Sequence, residues 1–98
     1  MQNSLSQLFP RTARVNADDH LEIGGRDVVA LAREYGTPLY VFDEEHLVTR
    51  AREIRDAFRA RDPHARILYA TKAYFSPYVA RLFQAEGLGL DVTSEAEL

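Results

Sequence analysis

The chain has 98 residues, 46% of them hydrophobic and 28% charged, an ordinary soluble mixture, and its net charge of −3 comes without a basic stripe, which argues against nucleic acid or an anionic membrane surface as a partner. No apolar run approaches the ~18 residues needed to cross a bilayer and the first residues lack the pattern of a signal peptide, so a cytoplasmic protein is the expectation. The absence of cysteine excludes disulfides, thiolate nucleophiles and Cys-ligated metals, and His20, His46 and His64 match no ligand spacing, so no metal site is expected.

Residues 1–14 show no sustained period and include Pro10, which predicts an arm. Leu21 and Ile23 alternate with His20 and Glu22 after Asn16-Ala17-Asp18-Asp19, so Val15 to Ile23 reads as a small hairpin ended by Gly24-Gly25. Asp27 is placed to cap a helix carrying Val28, Leu31, Ala32 and Tyr35 on one face, and Gly36 supplies its stop. Thr37-Pro38 directs the chain into extended geometry, and Leu39-Tyr40-Val41-Phe42 reads as a strand that Asp43 ends. The second helix carries Leu47, Ala51, Ile54 and Phe58 on one face, with Glu44 and Glu45 in its first turn and Arg59 and Arg61 near its last. Arg50, Arg52 and Arg55 lie among acidic residues and read as a solvated face rather than a phosphate site, and Asp62-Pro63 terminates the helix.

Ile67-Leu68-Tyr69-Ala70 carries no charge and fits a strand buried on both faces of a parallel sheet, followed at once by Thr71-Lys72-Ala73. Ser76-Pro77 opens a helix that buries Val79, Leu82 and Phe83 and stops at Gly87, and Leu88 to Val92 is a second buried strand carrying Asp91. Ser94-Glu95-Ala96-Glu97 has the form of a capping box, so another helix begins there. A strand–helix–strand unit of this kind is right-handed with parallel strands, which brings Lys72 and Asp91 to one sheet edge, where an amine and a carboxylate would meet. α/β sheets place their chemistry at that edge, and burial there would favour the neutral amine that condenses with an aldehyde. A lysine at a strand end is also ordinarily a solvated charge, and position alone leaves both readings open. Two parallel strands without neighbours do not complete an α/β fold, so the chain is expected to be a fragment.

Tyr35-Gly36-Thr37-Pro38-Leu39-Tyr40-Val41-Phe42-Asp43, Tyr69-Ala70-Thr71-Lys72-Ala73 and Glu86 to Leu98 occur in an order and at a spacing that resemble the N-terminal part of the diaminopimelate decarboxylases over roughly residues 15–98. These are pyridoxal-phosphate enzymes that pair an alanine-racemase-like barrel with a C-terminal β-domain. The resemblance implies the N-terminal portion of a (β/α)8 TIM barrel. It implies that residues 1–43 form an arm, hairpin, short helix and strand associated with the β-domain, and that residues 44–98 form the first βα units of the barrel. It further implies decarboxylation of meso-2,6-diaminopimelate to L-lysine with pyridoxal 5'-phosphate as cofactor, in a cytoplasmic homodimer whose isolated 98-residue piece is inactive. By the same resemblance Lys72 carries the cofactor as a Schiff base, Asp91 orients or balances charge, and Glu97 lies near the cofactor. Glu97 equally satisfies the capping box. Ala70 lets the cofactor ring approach, although packing alone would also select a small residue there. A relative acting on ornithine, arginine or carboxynorspermidine, and a non-catalytic binding homologue of the same fold, are the alternatives.

Overall fold

A computed structural model of the chain describes residues 7–92. It divides into two compact units, one running to Leu47 and the other from Val48.

In the first unit, β1 (Arg14–Val15), β2 (Leu21–Ile23) and β3 (Arg26–Asp27) form an antiparallel sheet in sequential order. The expected hairpin is present as β1 and β2, with Arg14 opposite Glu22 and Val15 opposite Leu21. Its loop is built around Asn16, whose Oδ1 accepts from the Asp18 and His20 N–H groups and whose amide donates to Glu22 and Asp27. Asp19 closes that loop at φ +62°, a left-handed conformation that a short polar side chain tolerates. Gly24-Gly25 does not end the sheet. Both residues take positive φ and turn the chain back into β3, a strand of two residues that periodicity is too short to reveal.

Helix α1 (Val28–Tyr35) packs on β2 and β3 and buries Leu31. Asp27 caps it as expected, its Oδ1 accepting from Val29 N–H and Ala30 N–H, and its Oδ2 takes His20 Nδ1 and Asn16 Nδ2. These bonds, first from His20 and then from Asn16, hold the Asp27 carboxyl well below the usual range. The predicted strand Leu39–Phe42 does not form. The segment runs extended past the Thr37–Pro38 cis peptide, but no strand pairs with it among the described residues, and Tyr40 is 89% exposed. With Leu31 and Tyr35 it borders an apolar groove of about 450 Å³.

Helix α2 (Glu44–Arg59) starts on Asp43, a buried carboxylate that accepts from His46 N–H through Oδ1 and from Thr12 N–H and Thr12 Oγ1–H through Oδ2. Burial pushes this carboxyl up, and the bonds from Thr12 and His46 outweigh it and hold it below its ordinary value. In the second unit β4 (Leu68–Ala70), α3 (Pro77–Ala85) and β5 (Gly89–Asp91) form the expected strand–helix–strand, with the strands parallel. Ser76 Oγ accepts from Val79 N–H and Pro77 opens α3, which packs on β5 and buries Val79 and Phe83. Gly87 then reverses the chain at φ +84°. The strands are shorter than Ile67–Ala70 and Leu88–Val92, and they are not buried on both faces. Leu68 is 56% exposed, because β4 and β5 pair only with each other among the described residues.

Candidate functional site

The parallel register sets Leu68 opposite Gly89, Tyr69 opposite Leu90 and Ala70 opposite Asp91. Immediately beyond, Ala70 to Ala73 form a tight turn closed by Ala73 N–H donating to Ala70 O at 3.1 Å, and Lys72 occupies its third position. Thr71 precedes the lysine and is only 1% exposed, more buried than any apolar core side chain. Its N–H and its hydroxyl both donate to the carbonyl oxygen of Asp91, at 3.1 and 2.9 Å. On the other side of the turn the Tyr69 hydroxyl donates to Tyr74 O at 2.6 Å, while the Tyr69 ring packs on Phe83 with centroids 4.6 Å apart. Burial raises the Tyr69 phenol pKa above its ordinary value, which keeps the hydroxyl a donor. The lysine-bearing turn is therefore tied to β5 through Thr71 and back onto its own loop through Tyr69.

Ala70, Lys72 and Asp91 thus share the C-terminal edge of the two strands, and Ala70 is half-buried beside Asp91. The expected meeting of amine and carboxylate does not occur. No ion pair joins Lys72 to Asp91 among the described residues, since Asp91 is level with Ala70, two residues short of Lys72, and both side chains are exposed. Nor is Lys72 buried, because a two-stranded sheet offers nothing to cover its edge. Glu97 lies outside the described residues.

A second group holds the unit from its other end. Arg52 donates to both carboxylate oxygens of Glu86 at 2.7 and 2.9 Å, and Arg55 donates to the Glu86 carbonyl at 2.7 Å. Arg52 accordingly holds the Glu86 carboxyl below its usual range, outweighing its partial burial. Arg52 and Arg55 are thus not simply a solvated face. They tie α2 to the C-terminal end of α3, where a cation also suits the helix dipole, one turn before β5 begins. Helical periodicity could not reveal this, since the partner lies more than 30 residues away.

One further signal was available in the letters themselves: of 12 basic Lys and Arg residues, only Lys72 is a lysine. Arginine keeps its proton under all ordinary conditions, so within these residues Lys72 is the sole side-chain amine able to add to a carbonyl. An exposed amine on a tethered turn, beside the small side chain of Ala70, suits covalent attachment of an aldehyde.

Residues 44–98 match the family described as pyridoxal-dependent decarboxylase, pyridoxal binding domain. The chain is 44% identical over 90 residues to a diaminopimelate decarboxylase of Bacillus methanolicus, an alignment covering 92% of this chain and 21% of that protein. It is 46% identical over 87 residues to the diaminopimelate decarboxylase of Bacillus subtilis (strain 168), covering 89% and 20% respectively. The corresponding enzyme of Synechocystis sp. is 42% identical over 92 residues, with coverage of 93% and 20%. The chain spans about a fifth of the length of the curated relatives it matches.

Proposed function

This chain belongs to the pyridoxal-dependent decarboxylases, and from that membership we propose that it is the N-terminal portion of a diaminopimelate decarboxylase, a lyase that converts meso-2,6-diaminopimelate to L-lysine and carbon dioxide. The observation that carries the proposal is the tethered turn that presents the only lysine of these residues at the C-terminal edge of two parallel strands. The relatives named diaminopimelate decarboxylase support the substrate.

On this reading the second unit supplies the first βα units of an alanine-racemase-like (β/α)8 barrel, and the apolar groove along Leu39–Phe42 receives a C-terminal β-domain. Lys72 would hold pyridoxal 5'-phosphate through its Nζ. When bound, that cofactor supplies an electron sink for the pair left behind as carbon dioxide departs. With its amine free, Lys72 would be able to carry a proton on Nζ at this edge. Asp91 offers a carboxylate beside Ala70 at the same edge, and Glu97 is proposed as an acidic neighbour of the cofactor. The intact protein is proposed to be a cytoplasmic homodimer. Among the described residues no helix is long and apolar enough to cross a membrane.

The test is borohydride reduction of the intact protein with pyridoxal phosphate, followed by peptide mass mapping and by carbon dioxide release from meso-diaminopimelate, ornithine, arginine and carboxynorspermidine. The label is expected on Lys72, lost in Lys72→Ala, with meso-diaminopimelate the substrate turned over. A label on another lysine removes the cofactor assignment, and faster turnover of another amino acid removes the substrate assignment.

A further inference from the structure

Thr71 combines three properties that a mere space-filler does not need. It is the residue directly before Lys72, it is almost completely buried, and it spends both its N–H and its hydroxyl on one acceptor, the carbonyl oxygen of Asp91. The backbone bond alone would continue the ladder between the strands by one rung. The hydroxyl adds a second tie at the point where the chain leaves β4 and turns, and so fixes the main chain immediately before the lysine against the main chain of the neighbouring acidic residue. Valine has the same branching and would fill the same space without the bond. From this geometry we propose that Thr71 is a positioning residue: its hydroxyl locks the Lys72 turn to β5 and thereby sets the amine in the place that receives the pyridoxal cofactor. The proposal rests on the decarboxylase reading and assigns within it a residue that touches neither cofactor nor substrate.

Two variants of the intact protein separate the hydroxyl from the methyl group. Thr71→Val keeps the branching and removes the bond, whereas Thr71→Ser keeps the bond and removes a buried methyl. If the hydroxyl positions Lys72, Thr71→Val raises the half-saturating pyridoxal phosphate concentration, read from the visible absorbance of the lysine-bound cofactor, by about fivefold, the factor that one ordinary hydrogen bond is worth. Thr71→Ser then binds cofactor as the parent does, although it melts at a lower temperature. If Thr71 only fills space, the order reverses, with Ser the weaker binder and Val unchanged, and the proposal is overturned. Should Thr71→Val fail to fold, Thr71→Ser decides: parental affinity supports the proposal and a fivefold loss overturns it. A parent protein that borohydride does not label at Lys72 removes the decarboxylase reading itself, and the positioning role with it.

Discussion

Replacing Asp43 with asparagine tests how the first unit is held together. The carboxylate is 5% exposed and accepts three bonds, at 3.0 Å from Thr12 N–H, 2.6 Å from Thr12 Oγ1–H and 3.2 Å from His46 N–H. Asparagine keeps one acceptor oxygen and turns the other into a donor. With the amide oriented to cap α2, its NH2 faces Thr12. The threonine hydroxyl adapts by rotating to accept, but the Thr12 N–H is left opposite another donor. Losing one charge-assisted bond and orphaning a partly buried N–H costs about 2–3 kcal/mol. Amide hydrogen exchange reads this locally. Thr12 N–H should exchange about 30- to 150-fold faster in Asp43→Asn, while the His46 N–H, which keeps its cap, and the Gly89 N–H, bonded to Ile67 O in the second unit, keep their protection. The pH dependence supplies a second arm. Since the Asp43 pKa is lowered from 3.8, its contribution is complete above that value and is lost as pH falls through the lower folded value. Acid should therefore release the parent's Thr12 amide and leave the variant's rate unaffected beyond intrinsic exchange. Thr12 protection within threefold of the parent at neutral pH, or equal acceleration at Gly89, would refute the reasoning.

The other consequences are simpler to read. Asp27 is likewise held well below 3.8, first by His20 and then by Asn16, so its hold on the first turn of α1 should be complete above that pH and weaken progressively as pH falls below it toward the lower folded value, and Asp27→Asn should remove that acid dependence in NMR Cα shifts. Ser76→Ala removes the α3 cap and should cost about 1 kcal/mol in denaturant unfolding. Gly87 sits at φ +84°, and a would-be Cβ there would meet only the Arg59 guanidinium at an ordinary contact distance of 3.8 Å, so Gly87→Ala should cost about 1–2 kcal/mol, chiefly through backbone strain, and Gly87→Asn less. Phe83→Ala empties a site 6% exposed and strips the ring that faces Tyr69, which should cost about 3–5 kcal/mol in the same unfolding assay.

Residues that act through near neighbours were readable from the letters. The caps at Asp27 and Ser76, the stop at Gly36 and the pairing of β4 with β5 each follow from signals a few residues long or from the rule that links a strand–helix–strand unit to parallel strands. What escaped depends on distant partners. Leu39–Phe42 has a strand's composition, but a strand exists only when another pairs with it, and none does among the described residues. Arg52 looked solvated because its carboxylate arrives with α3. At the candidate site, the place of Lys72 just past β4 was legible from the apolar run before it. Its exposure was not, because burial depends on what covers the edge. Thr71 carries no signal in the sequence, because a threonine at a strand end is ordinary and its bond to Asp91 O depends on the pairing of β4 with β5.

The exposed turn at Lys72 has a practical corollary for anyone handling these residues. A protease that cuts only after lysine meets a single bond within them, Lys72–Ala73, and splits them into two pieces. An amine fixed by reduction to a bulky group no longer fits such a protease. The ratio of cut to uncut polypeptide on a gel then counts, molecule by molecule, how many amines carried a reducible adduct, without chromophore, substrate or turnover.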